Sequence, residues 1–202
     1  AEILRDLGDA LDGGQQQEVI AELIHSGHTM NNIIQELLLL AQVTRAEVEL
    51  APLDMLTSAQ QALRRLAQMS ATYAAEIALD APEQWPVAVG YGPWIEEVWV
   101  NYLCNALKYG GRPPRVTIGG ELLDDALARF WVHDEGPGIS TNIQGQLFAE
   151  FTQLNQARMQ GHGLGLSIVR RIVEKLGGWV GVESQEGSGS TFYFVLPTSR
   201  AV

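Results

Sequence analysis

Apolar residues recur at helical spacing through the first quarter of the chain. Ile3, Leu4, Leu7 and Leu11 share one face of a helix predicted over Ala1 to Leu11, and Asp12-Gly13-Gly14 is expected to stop it. From Gln15 to about Glu49 no proline interrupts the pattern. Ile20, Leu23, Gly27, Met30, Ile34, Leu37, Ala41 and Val48 recur with heptad-like spacing, and Ile24, Ile33, Leu38 and Leu40 widen that stripe beyond a two-helix seam. A stripe this wide needs a bundle to cover it. A short helix followed by a long one cannot close a bundle alone, so the pattern predicts an α-helical hairpin that pairs with a second copy into a four-helix bundle. His25 and His28 lie on the long helix, where solvation or packing is the ordinary role. Pro52 breaks that helix, and Asp54 is placed to cap another from about Met55 to Ala75.

Beyond this point the pattern mixes two periods. Ile77 to Leu79 and Val87 to Val89 read as short strands separated by a turn containing Pro82 and Pro86. Trp94 to Tyr109 is a helix with Ile95, Val98, Trp99, Tyr102, Leu103 and Ala106 on one side; Gly110-Gly111 ends it and Pro113-Pro114 prevents continuation. Strands are predicted over Arg115 to Gly119 and Ala128 to His133, and a short helix over Ser140 to Phe148. Gln153 to Gln160 has no apolar period and reads as a loop. A helix runs from Gly165 to Gly177-Gly178, followed by a hairpin of Trp179 to Val182 and Thr191 to Leu196 around Glu186-Gly187-Ser188-Gly189. Strand pairs interspersed with helices predict an α/β two-layer sandwich, a mixed sheet with helices on one face, preceded by the helical hairpin. The expected domains are residues 1–50 and 51–202.

Composition narrows the partners. The 202 residues are 46% hydrophobic and 18% charged, with a formal net charge of -11. Without a basic stripe such a surface repels nucleic acid, which is excluded as a partner. A polyanionic ligand must then be held by local donors or a metal ion, because the overall field opposes it. Cys104 is the only cysteine and sits in an apolar run, so it reads as a small buried hydrophobe, and no disulfide framework exists. That fits a reducing, cytoplasmic compartment. No apolar run is long enough to span a bilayer, so no membrane contact is expected of these residues. No signal peptide is visible. The absence of an initial methionine implies a piece of a longer protein, whose remainder could be membrane-anchored.

Four features carry candidate chemistry. Asn101 and Asn105 share a face of the helix ending at Tyr109, with Lys108 close to that face. Amides in so apolar a helix must find partners; an asparagine oxygen is a hard ligand suited to magnesium, and lysine suits phosphate. Asp134-Glu135-Gly136-Pro137-Gly138 fixes a carboxylate at a strand end between glycine turns, able to accept from an exocyclic amine. Gly161-His162-Gly163-Leu164-Gly165-Leu166 opens a helix and offers backbone N–H groups to an anion. Its even alternation departs from the dinucleotide fingerprint, which leaves two residues before the third glycine. Gly187-Ser188-Gly189-Ser190-Thr191 is another flexible turn feeding a strand. Taken singly, each is equally a cap, a turn or a packing feature.

Their order resembles the ATP-binding domain of sensor histidine kinases, within the wider group of gyrase, the heat-shock chaperone of that fold and mismatch-repair ATPases. Asn101 to Tyr109 looks like the family's asparagine box. The resemblance implies that Asn105 holds Mg2+, that Asn101 and Lys108 lie at the phosphates, and that Tyr109 lies near the adenine of ATP. It implies that Asp134 accepts from the adenine amine, with Gly136, Gly138 and Ile139 around that pocket. Phe148-Ala149-Glu150-Phe151 matches the phenylalanine box, whose rings Phe148 and Phe151 anchor a lid. Gly161, Gly163 and Gly165, with His162, Leu164 and Leu166 between them, would close the lid onto the phosphates; Arg158 is its one cation, and Thr191 would sit behind the final glycine turn. His162 stands where threonine or serine is commoner.

Upstream, Ser26, Met30, Ile33-Ile34 and Glu36-Leu37-Leu38 resemble the second helix of the family's dimerisation and phosphoacceptor hairpin, and Ala1 to Arg5 the end of its first. The histidine box of that hairpin is absent: His25 and His28 fall on the wrong helix, and neither His133 nor His162 has the flanking pattern. The implied activity is γ-phosphoryl transfer to a histidine upstream of these residues, then to the receiver domain of a response regulator, within a homodimer joined by the N-terminal helices. Gyrase-type relatives carry a water-activating glutamate where this chain has Asn101, so hydrolysis should be slow; Glu97 stands a turn too early. The rival readings are a degenerate nucleotide-binding module and a serine kinase of the same fold, the apolar hairpin speaking against the latter.

Overall fold

The computed structural model describes residues 13–81, 83, 85–149 and 164–198. The chain divides into two units, Ala1–Ala41 and Gln42–Val202. In the first, the described residues form most of one long helix, α1 (Gly13–Arg45), 33 residues in all. Gly13 and Gly14 lie within this helix as far as it is described, and the predicted helix over Ala1 to Leu11 lies outside the described residues. The apolar stripe faces outward: Ile20, Leu23, Ile24, Met30, Ile34, Leu37 and Leu38 are each between 46% and 60% exposed. The last turn of α1, from Gln42, groups with the second unit. Val43 is buried there, and the Lys175 ammonium donates to the Thr44 carbonyl at 3.2 Å.

The second unit runs β1 (Ala51–Asp54), α2 (Met55–Arg65), α3 (Ala67–Thr72), β2 (Glu76–Leu79), β3 (Val87–Gly90), α4 (Gly92–Tyr109), β4 (Arg115–Leu122), β5 (Leu127–Asp134), α5 (Thr141–Gln144), α6 (Gly165–Lys175), β6 (Trp179–Ser184) and β7 (Ser190–Pro197). Five strands form a mixed sheet in the order β2-β4-β5-β7-β6; β2 runs parallel to β4 and the other pairs are antiparallel. Helices pack on this sheet, as the sandwich reading expects. Two elements differ from expectation. β1 was not anticipated, and it pairs with β3 in a separate two-stranded ribbon, so β2 and β3 belong to different sheets. The helix expected over Met55 to Ala75 is two helices, broken at Leu66 with φ -95° and ψ 7°.

Local chemistry sets the boundaries that matter. Asp54 caps α2: its Oδ1 accepts from the Leu56 and Thr57 amides at 3.1 and 3.2 Å, and its Oδ2 from the Thr57 hydroxyl at 2.6 Å. The Thr57 hydroxyl is the main reason its carboxyl titrates below the ordinary value. Pro93 sits in the first turn of α4, where its missing N–H costs nothing. Strand alternation then makes the core. Ala128, Phe130, Val132 and Asp134 are buried along β5, while Arg129, Trp131 and His133 between them are only partly so. Trp99 of α4 meets Phe194 at 5.1 Å and Phe130 at 6.3 Å between ring centroids, both edge-on, and Tyr102 meets Phe192 at 5.6 Å. Ile168, Val169, Ile172 and Val173 bury the apolar face of α6.

Candidate functional site

The C-terminal half of α4 carries two clusters a turn apart. In the first, the Asn105 amide lies 3.4 Å from Asn101 Oδ1 and points its hydrogens at it. That orientation commits the nitrogen of Asn105 and leaves its oxygen for a cation. The start of α6 abuts the same place. A Cβ added at Gly165 would lie 2.2 Å from Asn101 Nδ2, so the backbone of Gly165 rests directly on that side chain. The positive end of an 11-residue helix is thereby brought against Asn101, which Asn105 contacts in turn. Lys108 is the basic residue of the last turn of α4.

The second cluster surrounds Asp134, at the end of β5 and only 6% exposed. Its Oδ1 accepts from the Gly136 amide at 2.9 Å. Burial pushes its carboxyl above the ordinary 3.8, with the Gly136 amide and His133 pulling the other way. Two glycines are required for the approach. A Cβ on Gly110 would lie 2.9 Å from the Asp134 Cβ, and one on Gly136 would lie 2.6 Å from both Asp134 Oδ1 and the Tyr109 carbonyl. Tyr109 is half-buried, and burial raises its phenol above the usual value. Gly138, at φ 71°, turns the chain where a Cβ would strike the Gln185 carbonyl. A carboxylate with one oxygen engaged by a backbone amide and set among glycines can accept from a flat donor lying against it.

Thr191 requires correction. Asp134 pairs with Ser190 across β5 and β7, and Thr191 pairs with His133. Residues directly opposite in an antiparallel pair share a face, and neighbours along a strand do not. Thr191 therefore lies on the far face of the sheet, where its hydroxyl is 2.9 Å from His133 Nδ1. The hydroxyl on the Asp134 side is that of Ser190, 4% exposed. The sequence holds Ser188, Ser190 and Thr191 around Gly189, and only the strand register distinguishes them.

The remaining residues sort by position. Leu164 is buried beside the start of α6, and its carbonyl accepts from the Ser167 hydroxyl at 2.7 Å; Leu166 is half-buried. The Phe148 ring lies edge-on to Phe192 at 6.4 Å. Phe151, Arg158, Gly161, His162 and Gly163 lie outside the described residues. Glu97 is held by Arg65 at 2.7 Å, which also reaches Glu96 at 2.9 Å, and so is not a loose carboxylate beside Asn101. Among the described residues no group of three or more histidines, cysteines or carboxylates is arranged to hold a metal ion. No helix among them is long and apolar enough to cross a membrane.

This geometry has close counterparts. Residues 90–200 match the family described as histidine kinase-, DNA gyrase B- and HSP90-like ATPase. The adaptive-response sensory kinase SasA of Parasynechococcus marenigrum is 34% identical over 191 residues, covering 93% of this chain and 49% of that protein. The sensor histidine kinase AruS of Pseudomonas aeruginosa is 32% identical over 212 residues, covering all of this chain and 21% of its own length. The chain thus spans about half, or less, of these relatives. Full-length ShkA, solved in complex with AMPPNP, superposes with a TM-score of 0.75 at 27% identity, over 96% of this chain and 41% of that one. The histidine kinase AdeS of Acinetobacter baumannii, 22% identical, shares the fold with a TM-score of 0.71 over 98% of this chain and 94% of that one. With residues 90–200 inside the family's match and sensor histidine kinases among its relatives, this chain belongs to the histidine kinase-, DNA gyrase B- and HSP90-like ATPase family.

Proposed function

We propose that the chain is the ATP-binding catalytic part of a two-component sensor histidine kinase, which directs the γ-phosphoryl group of ATP to a histidine upstream of these residues for onward transfer to a receiver domain. The observation that carries this reading is what meets the C-terminal half of α4: the buried Asp134 of β5 against Gly110 at its end, and the Asn101–Asn105 pair, with the start of α6 on Asn101, one turn away. Asp134 would accept from the adenine amine, with Gly110 and Gly136 letting the backbone close on its side chain. The start of α6 and Lys108 would face the phosphates. The donor set fits magnesium, which keeps several waters and takes few protein ligands besides phosphate oxygens. Asn105 would hold it through its amide oxygen, and the ion supplies charge neutralisation at the phosphates when bound.

Two features favour transfer over hydrolysis. Asn101 has no proton-accepting carboxylate, and Glu97 is committed to Arg65. Among the described residues water therefore lacks a base at this site, which favours keeping the phosphoryl group for a docked histidine. The exposed stripe of α1 supports homodimerisation, since seven large apolar side chains in one helix are costly to leave in water. The reading places the chain in the cytoplasm, where receiver domains work. The test is calorimetric titration with ATP. Binding should depend on magnesium, and Asn105→Ala should abolish that dependence; equal affinity with and without magnesium in the parent protein would remove Asn105 as a ligand. Acid-labile label on His25 or His28 would overturn the placement of the acceptor upstream.

A further inference from the structure

Ile139 lies between β5 and α5, so neither its N–H nor its C=O has a ladder or helix partner, and backbone polar groups away from water must be paired. Two side chains from other elements supply the partners. The Ser184 hydroxyl accepts from the Ile139 amide at 2.8 Å, and the Gln144 amide donates to the Ile139 carbonyl at 2.7 Å. The same Gln144 nitrogen donates to the Ser184 carbonyl at 2.9 Å, linking the two. The Ser184 hydroxyl donates to the Gly189 carbonyl at 2.7 Å, and the Gly187 amide donates to the Pro137 carbonyl at 2.7 Å. A serine has a single proton to give, so in the 3.0 Å contact with Ser190 it is Ser190 that donates.

The loop from Gly136 to Ser140 is therefore fastened to the end of β6 and to the β6–β7 turn, and its start holds the Asp134 carboxylate through the Gly136 amide. We infer that Ser184 and Gln144 are positioning residues for base recognition: they hold the Gly136–Ser140 loop in the one placement that lets Asp134 and the loop backbone meet a nucleobase. The inference rests on the reading of the Asp134 pocket as the adenine site. A pocket that reads a flat base by one carboxylate and its surrounding backbone tolerates little displacement, so loosening this fastening costs affinity and base discrimination before it costs the fold.

The test uses the whole chain, magnesium, and ADP and GDP as probes, with urea unfolding in parallel. Gln144→Leu keeps the bulk and removes the donor; it should weaken ADP binding roughly tenfold and compress the ADP-to-GDP preference. Gln144→Glu should be worse than Gln144→Leu, because its carboxylate faces the carbonyls of Ile139 and Ser184. Ser184→Ala should match Gln144→Leu and accelerate hydrogen exchange at the Ile139 amide. Should Ser184→Ala fail to fold, the Gln144 pair, on a half-exposed side chain, carries the test alone. Lower unfolding midpoints with an unchanged ADP-to-GDP ratio would reduce both residues to structural ones and overturn the inference, as would parental ADP affinity in Gln144→Leu. Failure of the underlying reading looks different: Asp134→Asn would then leave the ADP-to-GDP ratio where it was.

Discussion

The contact between Gly165 and Asn101 makes a prediction whose sign is diagnostic. Replacing glycine by alanine ordinarily stabilises a helix interior by up to about 1 kcal/mol, and a first position such as Gly165 by somewhat less. Here the new Cβ would sit 2.2 Å from Asn101 Nδ2, where ordinary contact begins at 3.4 Å, so the amide must retreat by about 1.2 Å. Turning it off its rotamer costs about 0.5–1.5 kcal/mol, and residual overpacking costs about 1–3 kcal/mol where the neighbours cannot yield. Gly165→Ala should accordingly be neutral to about 2 kcal/mol destabilising in the parent protein. In an Asn101→Ala background the obstacle is gone, and the same substitution should stabilise by about 0.5–1 kcal/mol. Urea unfolding of the four proteins in this cycle should return a coupling energy of about 1–3 kcal/mol. Gly165→Ala should also raise the Kd for ATP–magnesium roughly tenfold, because the displaced Asn101 no longer holds the Asn105 amide. Additivity within about 0.5 kcal/mol would refute the claim that α6 rests on Asn101.

Three further outcomes are expected. Because burial holds the Asp134 carboxyl above its ordinary 3.8, the native state binds the extra proton first; stability should fall as pH rises from 3.8 through the shifted value, and adenine affinity should be lost as pH falls through it. Asp134→Asn should flatten both profiles, and an unchanged profile of nucleotide affinity would contradict the role of the carboxylate. Gly136→Ala, whose Cβ meets the Asp134 carboxylate and the backbone of Tyr109 and Gly110, which cannot swing away, should cost about 1–3 kcal/mol and abolish measurable ADP binding; full binding by titration would refute the close approach at Asp134. Ile34→Lys with Leu38→Lys on the outward stripe of α1 should shift sedimentation from dimer to monomer while leaving the unfolding of the second unit in place; a monomeric parent protein would contradict the pairing.

Much of this was legible in the sequence because local chemistry decided it. α4 ends where Gly110 follows its apolar face, α2 begins at the Asp54 cap, and β6 and β7 flank a turn with glycine at φ 82° in both Gly187 and Gly189. What was not legible depends on pairing at long range. Ala51-Pro52-Leu53-Asp54 carries a proline that argues against a strand, yet β1 has only β3 as a partner, and a two-stranded ribbon leaves an edge on which proline is tolerated. The resemblance puts Thr191 behind the last glycine turn, and nothing in the local sequence separates it from Ser190. A one-residue change of register moves a side chain through the sheet, and that step is set by the β5–β7 pairing, not by any local signal.

Long-range contacts also give a role to the polar residues beside the apolar stripe of α4. Asn101 and Asn105 flank the stripe of a helix whose Ile95, Val98, Trp99, Tyr102 and Leu103 are wholly buried, and both are themselves only partly buried, so periodicity alone assigns them nothing. Their partners come from elsewhere: each other, and the backbone of Gly165 at the head of a helix that the sequence places far downstream. Gly110, read as nothing more than a helix stop, likewise serves a distant group, since its missing Cβ is what lets the Asp134 side chain come within contact of the backbone. The positions of α4 that two other segments touch mark the site more sharply than the glycine motifs do.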